Sequence, residues 1–123
     1  MKKELEKALY DTFPQFFDLK TSPYDGGFWG VECDDGWFDI IYVLCIKIQP
    51  LAAKIKDFQV VQIKEKFGGL RFYVSHGNEE IHTLIQEAEE LSFKTCEVCG
   101  EPGQLRGGGW LKTLCSKHHN ERN

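Results

Sequence analysis

The sequence predicts an α+β chain, with helices packed on a small antiparallel β-hairpin or sheet and a zinc finger at the C-terminal end. Three observations predict it. Apolar residues recur with a helical period in three segments. Between the second and third segments the period drops to two around Gly68-Gly69. The tail then gathers Cys96, Cys99, Cys115 and a pair of histidines at metal-ligand spacing.

The first helix is expected over residues 2–13, where Leu5, Leu9 and Phe13 recur every four residues among Lys and Glu. Pro14 ends or bends it. "PYDGGFWGVECDDG" reads as a turn-rich loop with a short strand around residues 28–33. A second helix follows, with Asp34 or Asp35 as its N-cap. Its stripe is Trp37, Ile41, Leu44 and Ile48, widened by Phe38 and Cys45, and Pro50 is expected to stop it. "LAAKIKD" gives one more turn.

"FQVVQIKEKFGGLRFYVS" is expected to be a hairpin turning at Gly68-Gly69, which sets Phe67 against Leu70, Lys66 against Arg71 and Ile63 against Val74. Alternation then assigns Val61, Ile63, Phe67, Leu70, Phe72 and Val74 to the core, with Glu65 as an intruder. Gln62, Lys64, Lys66, Arg71, Tyr73 and Ser75 take the open face. A third helix over residues 78–92 points Ile81, Leu84, Ile85, Ala88 and Leu91 inward. Glu79 and Glu80 sit in its first turn, where the helix dipole favours them.

The length of 123 residues, 41% hydrophobic and 13% aromatic, allows a packed core. The expected division is an α+β domain over 1–93 and a zinc-finger module over 94–123 packed on it. Residues 1–93 hold 10 Lys/Arg against 16 Asp/Glu and residues 94–123 hold 5 against 3, so the body carries −6 and the tail +2. That is far from the footprint of a general nucleic-acid binder. The start, "MKKELEKALYDTF", lacks the apolar run of a signal peptide. "WFDIIYVLCIKI" is too short and too charged to span a bilayer. A cytoplasmic location with no membrane contact is therefore expected. Thiols stay reduced there, so five cysteines argue for a metal site rather than disulfides.

Cys96-x2-Cys99 lets two thiolates reach one ion from a tight turn, and Gly100 frees the backbone behind them. Cys115-x2-His118 offers the second pair, after a hairpin turning at Gly107–Gly109. If Cys115 opens a helical turn, His118 at i+3 lies on the same side; His119 at i+4 also reaches, and His118 is preferred. Three thiolates and an imidazole suit Zn²⁺. A closed four-ligand shell is structural, so no enzymatic activity and no catalytic residue is expected.

Lys64, Lys66, Arg71 and Tyr73 can cluster on the open hairpin face. Neutralisation by acidic neighbours such as Asp34, Asp35 or Asp39 is the plainer expectation; a docking patch for an acidic partner or a phosphate backbone is the sharper one. Arg106 and Trp110 flank the triple glycine. They can stack on a base, but a Trp covering the zinc site is preferred. "CSKHHNERN" invites comparison with the HNH nucleases, yet too little remains for that chemistry once His118 holds zinc. Cys33 and Cys45 are expected to be buried thiols.

"KEKFGGLRFYV", then a helix, then "CEVCGEPGQLRGGGWLKTLCSKH" resembles a set of small uncharacterised bacterial and phage-borne proteins; "CDDGWFDII" is similar to their middle segment. The likeness covers roughly residues 28–119. The tail also resembles a treble-clef or zinc-ribbon finger. That shape implies Cys96, Cys99, Cys115 and His118 as ligands and no particular activity. The resemblance and composition together predict a non-enzymatic protein acting on a protein partner, for example a phage-type inhibitor or modulator of a host complex. The alternative is a nucleic-acid-associated regulator using the hairpin face and the finger loop.

Overall fold

A computed structural model describes residues 1–122; Asn123, the last residue of the expected finger module, lies outside the described residues. Helix α1 spans Lys3–Thr12, strand β1 Val31–Glu32, helix α2 Phe38–Ala52, strand β2 Gln59–Lys66, strand β3 Gly69–Ser75 and helix α3 Glu79–Ser92. Strands β4 (Gln104–Arg106) and β5 (Lys112–Leu114) and helix α4 (Ser116–Glu121) complete the tail. The fold class is the expected α+β. Its sheet is mixed: β1 pairs parallel to β2, and β2 pairs antiparallel to β3.

The stripes predicted for the helices are buried where they meet. Leu9 and Phe13 of the first helical segment and Trp37, Ile41, Leu44, Cys45 and Ile48 of the second enter one core with Ile63, Leu70 and Phe72 from the sheet. Phe16, Phe17, Phe28 and Phe58 join it from irregular chain. Phe17 and Phe28 pack edge to face at 4.9 Å, an arrangement no periodicity announces. Asn78 caps α3, its side chain accepting the Ile81 N–H at 2.9 Å.

Five expectations need correction. Pro50 does not stop α2, which runs two residues further. Pro50 deprives only the Ile46 carbonyl of its partner, while the Ala53 N–H still reaches Gln49 O at 3.1 Å and buried Ile48 and Ala52 hold the turn to the core. Neither Asp34 nor Asp35 caps α2 with its side chain. A 3₁₀ turn over Asp35–Trp37 leads into the helix, and the Asp35 carboxylate accepts the Lys2 N–H instead. The hairpin turns at Phe67-Gly68, both with positive φ (55° and 85°), so Lys66 faces Gly69 and Lys64 faces Arg71. That shift moves each partner by two residues and so preserves the faces. A bulge between Val60 and Gln62 does not: it buries Val60 in place of Val61, and Phe67 at the turn is 64% exposed. Leu91 is likewise exposed; Ser92 takes the inward position.

Glu65 has the donor its position demands. It accepts the Gly68 N–H at 2.7 Å, closing the turn from within. On the outer edge of β3, the Leu70 N–H donates to Ser92 Oγ and the Phe72 N–H to Glu89 Oε2. Helix α3 thereby occupies amides that a free edge strand would offer to another chain.

Candidate metal centre

The site is built from two short turns. In the first, the Cys96 N–H donates to Glu101 O at 2.7 Å and the Gly100 N–H returns to Cys96 O at 2.9 Å. Gly100 takes a φ of 84°, which a side chain would strain. The second turn is the entry to α4. Cys115 directly precedes the helix, and its carbonyl accepts the His119 N–H. One helical turn then brings His118 back over Cys115.

Cys99 Sγ lies 3.8 Å from Cys115 Sγ, and His118 Nδ1 lies 3.6 Å from Cys96 Sγ and 3.3 Å from Cys115 Sγ. One donor atom from each of the four residues falls within 4.8 Å of all the others, so the group can hold one metal ion. All five cysteines are free thiols. Of the two adjacent histidines, His118 is the one that joins this group. Glu121 Oε2 sits 3.9 Å from His118 Nε2, the ring nitrogen other than the one nearest the thiols.

Electrostatics divide the thiols. Burial works against the Cys96 thiolate, but the backbone N–H groups of Cys115, Cys99 and Val98 outweigh it and bring the pKa down to about 6. For Cys99 the Glu101 N–H favours the thiolate. Burial and the neighbouring Cys96 and Cys115 sulfurs prevail and raise it. Three thiols this close cannot all ionise easily without a cation between them.

Hydrogen bonds fasten the knuckle and the finger strands to the body. The Gly36 N–H donates to Glu97 O at 2.7 Å, and Trp37 Nε1–H to Thr95 O at 2.9 Å. Thr113 Oγ1, fully buried, donates to Gly68 O at 2.7 Å. Glu97 is the residue sequence reasoning missed. Its carboxylate is 3% exposed, accepts the Asp34 N–H at 3.1 Å and faces Lys112 Nζ at 3.6 Å. Burial raises its pKa, and Lys112 and the Asp34 N–H oppose that. An acid between two cysteines gives no sequence signal of burial.

The remaining predicted residues divide. Arg106 is engaged inside the finger, donating from Nε to Leu114 O at 3.2 Å. Trp110 does not cover the cysteine cluster. It is 75% exposed and lines a cleft of about 540 Å³ with Glu65, Lys66, Phe67, Gly109 and Leu111. The glycine loop carries it outward to the β2–β3 turn, away from the knuckle. Lys64 Nζ stands 5.9 Å over the Tyr73 ring and Lys66 Nζ 5.6 Å over Phe67. Among the described residues no ion pair joins Lys64, Lys66 or Arg71 to Asp34, Asp35 or Asp39; Asp35 pairs with Lys2.

No family model matches the chain, and neither a curated protein nor a solved structure does. No helix among the described residues is long and apolar enough to cross a membrane.

Proposed function

We propose that this chain is a non-enzymatic zinc protein that works through contacts with another protein, its ion serving as a structural staple. The donor spacing carries the metal part of this reading. A zinc tetrahedron with Zn–S of about 2.3 Å and Zn–N of about 2.0–2.1 Å has S···S edges of about 3.8 Å and S···N edges of about 3.5 Å. The sulfur pair at 3.8 Å and the sulfur–nitrogen pairs at 3.6 and 3.3 Å match three of the six edges, and the other donor separations are within 4.8 Å. A disulfide would need about 2.05 Å. Four protein donors close the shell, leaving no position at which zinc could activate water.

The tail needs the help. Among its described residues the buried side chains are Cys96, Glu97, Thr113 and Leu114, and none belongs to the main core. Structural zinc contributes on the order of 10 kcal/mol of apparent free energy, enough to fold a segment this poor in apolar burial. Elemental analysis of the reduced, purified protein should give one zinc per chain, and Cys115→Ser should lower it sharply. Iron in its place, or no stoichiometric metal, refutes the reading.

A second reading, a nucleic-acid-associated regulator, draws on the cross-strand pair of Lys64 and Arg71, whose repulsion Glu32, opposite Lys64 on β1, offsets only in part. A gel-shift series in rising salt tests it. A shift that fades steeply with salt supports it, and no shift at low salt ends it.

A further inference from the structure

We infer that the cleft between the β2–β3 turn and the finger loop is a recognition site for an extended acidic segment of a partner protein carrying one large apolar side chain. The inference rests on the protein-contact reading above and adds where contact is made and with what chemistry.

The first observation is a backbone outlier. Phe67 holds a φ of 55° while 64% exposed. Both central residues of such a turn need positive φ, and Asn-Gly satisfies that far better than Phe-Gly. A bulky side chain in this region is strained, and the ring gains little burial in return. Strain of this sort, held by the surrounding structure, points to what the side chain presents outward.

The second observation is convergence. Trp110, 43 positions further along the chain, brings its own exposed ring to the same cleft, with Leu111 beside it. The two walls are locked together. Thr113 Oγ1 bonds Gly68 O, and a Cβ on Gly68 would lie 2.4 Å from Leu105 Cδ1. The strands behind the two walls are thus held together before any partner arrives, which lowers the ordering cost of binding. Aromatic anchors around a preformed pocket are the usual centre of a binding hot spot.

The third observation is charge. Lys66 lines the cleft, and Lys64 and Arg71 follow along the hairpin without an ion pair among the described residues, Glu32 on β1 lying opposite Lys64. Elsewhere the body is acidic. An acidic segment is attracted here and repelled from the rest. Glu65 in the same cleft spends one carboxylate oxygen on the Gly68 N–H, while Lys66 has no ion pair among the described residues.

The test uses the full-length, zinc-loaded protein. A phage-displayed library of random twelve-residue peptides is panned on it. The consensus peptide is then labelled with fluorescein and titrated by anisotropy. Acidic residues flanking a Trp, Phe or Leu are expected. Trp110→Ala should weaken that peptide at least tenfold. Phe67→Asn should also weaken it at least tenfold while raising the urea midpoint, because Asn relieves the turn; a merely structural Phe67 would not separate the two readouts. Leu91→Ser, in the apolar groove between α2 and α3, should leave binding unchanged. The inference is overturned if panning yields no consensus, if Phe67→Asn and Trp110→Ala bind normally, if Leu91→Ser alone abolishes binding, or if fluorescein-labelled oligo-dT binds at the cleft in the peptide's place. Zinc content is measured on the same samples. A zinc-loaded protein that selects nothing defeats this inference alone, whereas a protein without zinc defeats the staple.

Discussion

A methyl group added at Gly36 tests whether the finger and the body are one packed unit. A Cβ there would lie 2.2 Å from the Cys96 carbonyl oxygen and 2.5 Å from that of Glu97. Both are backbone atoms, so no rotamer change relieves the clash. The knuckle must withdraw from the entry to α2, stretching the Gly36 N–H to Glu97 O bond of 2.7 Å and the Trp37 Nε1–H to Thr95 O bond of 2.9 Å. Overpacking costs about 1–3 kcal/mol and each lost hydrogen bond about 1 kcal/mol. Gly36→Ala should therefore destabilise by about 3–5 kcal/mol, a large part of the roughly 5–15 kcal/mol a domain possesses. At about 4 °C per kcal/mol the Tm should fall by about 12–20 °C. Urea and thermal unfolding of the zinc-loaded protein, followed by the fluorescence of buried Trp37, measure both. Gly107→Ala is the control, since its Cβ meets nothing within 4 Å and should change stability by less than about 0.5 kcal/mol. If Gly36→Ala lies within about 1 kcal/mol of wild type, the finger does not pack on the body as described.

Three further outcomes follow from the same contacts. Burial pushes the Cys33 thiol up to about 12 and raises Cys45 as well, so alkylation of the chelated protein at pH 8 should modify Cys96, Cys99 and Cys115 first. Peptide mapping that finds Cys45 modified before denaturant is added contradicts its burial. Ser92→Ala removes the acceptor for the buried Leu70 N–H and should cost about 1–3 kcal/mol in urea unfolding; a neutral result would mean α3 does not cap that edge. Metal affinity should rise with pH. A ligand with a raised pKa, such as Cys99, is protonated near neutrality and must release its proton on binding, whereas Cys96 opposes binding only below its pKa of about 6. Chelator competition from pH 6 to 8 should show affinity climbing throughout, and a flat profile would contradict the thiolate ordering.

The long amphipathic elements were legible because their signal is local. Leu9 and Phe13, or Trp37, Ile41, Leu44 and Ile48, need only their spacing to be read. The hairpin was legible except in its turn, and the reason is physical. Gly68-Gly69 looks like a pair of turn glycines, yet only Gly68 has positive φ. Gly69 is needed for another purpose, since a Cβ there would lie 2.2 Å from the Phe93 ring. A glycine serving a distant side chain is indistinguishable in sequence from one serving its own backbone. The bulge at Val61 and the exposed Leu91 have the same origin: tertiary contact decided them against their local pattern.

The metal centre and the cleft stand at opposite ends of that scale. Ligand spacing is a local property, so Cys96, Cys99, Cys115 and His118 could be assembled from the sequence. Phe67 and Trp110 line one cleft only because the finger hairpin lies on the β2–β3 turn through Thr113 and Leu105. The two are nevertheless coupled. Thr113 and Lys112 occupy β5, which leads straight into Cys115, and Glu97 beside Cys96 holds both the Asp34 N–H and Lys112. Whatever loosens the four ligands loosens the strand that bears one wall of the cleft. Chelation should then free the Trp110 loop from the Phe67 turn while the main core, built from residues outside the tail, stays packed. Hydrogen exchange would register this as lost protection over 94–122 with little change in α1, α2 and α3. Equal loss across all three helices would mean that the staple supports the whole fold, not only the surface beside it.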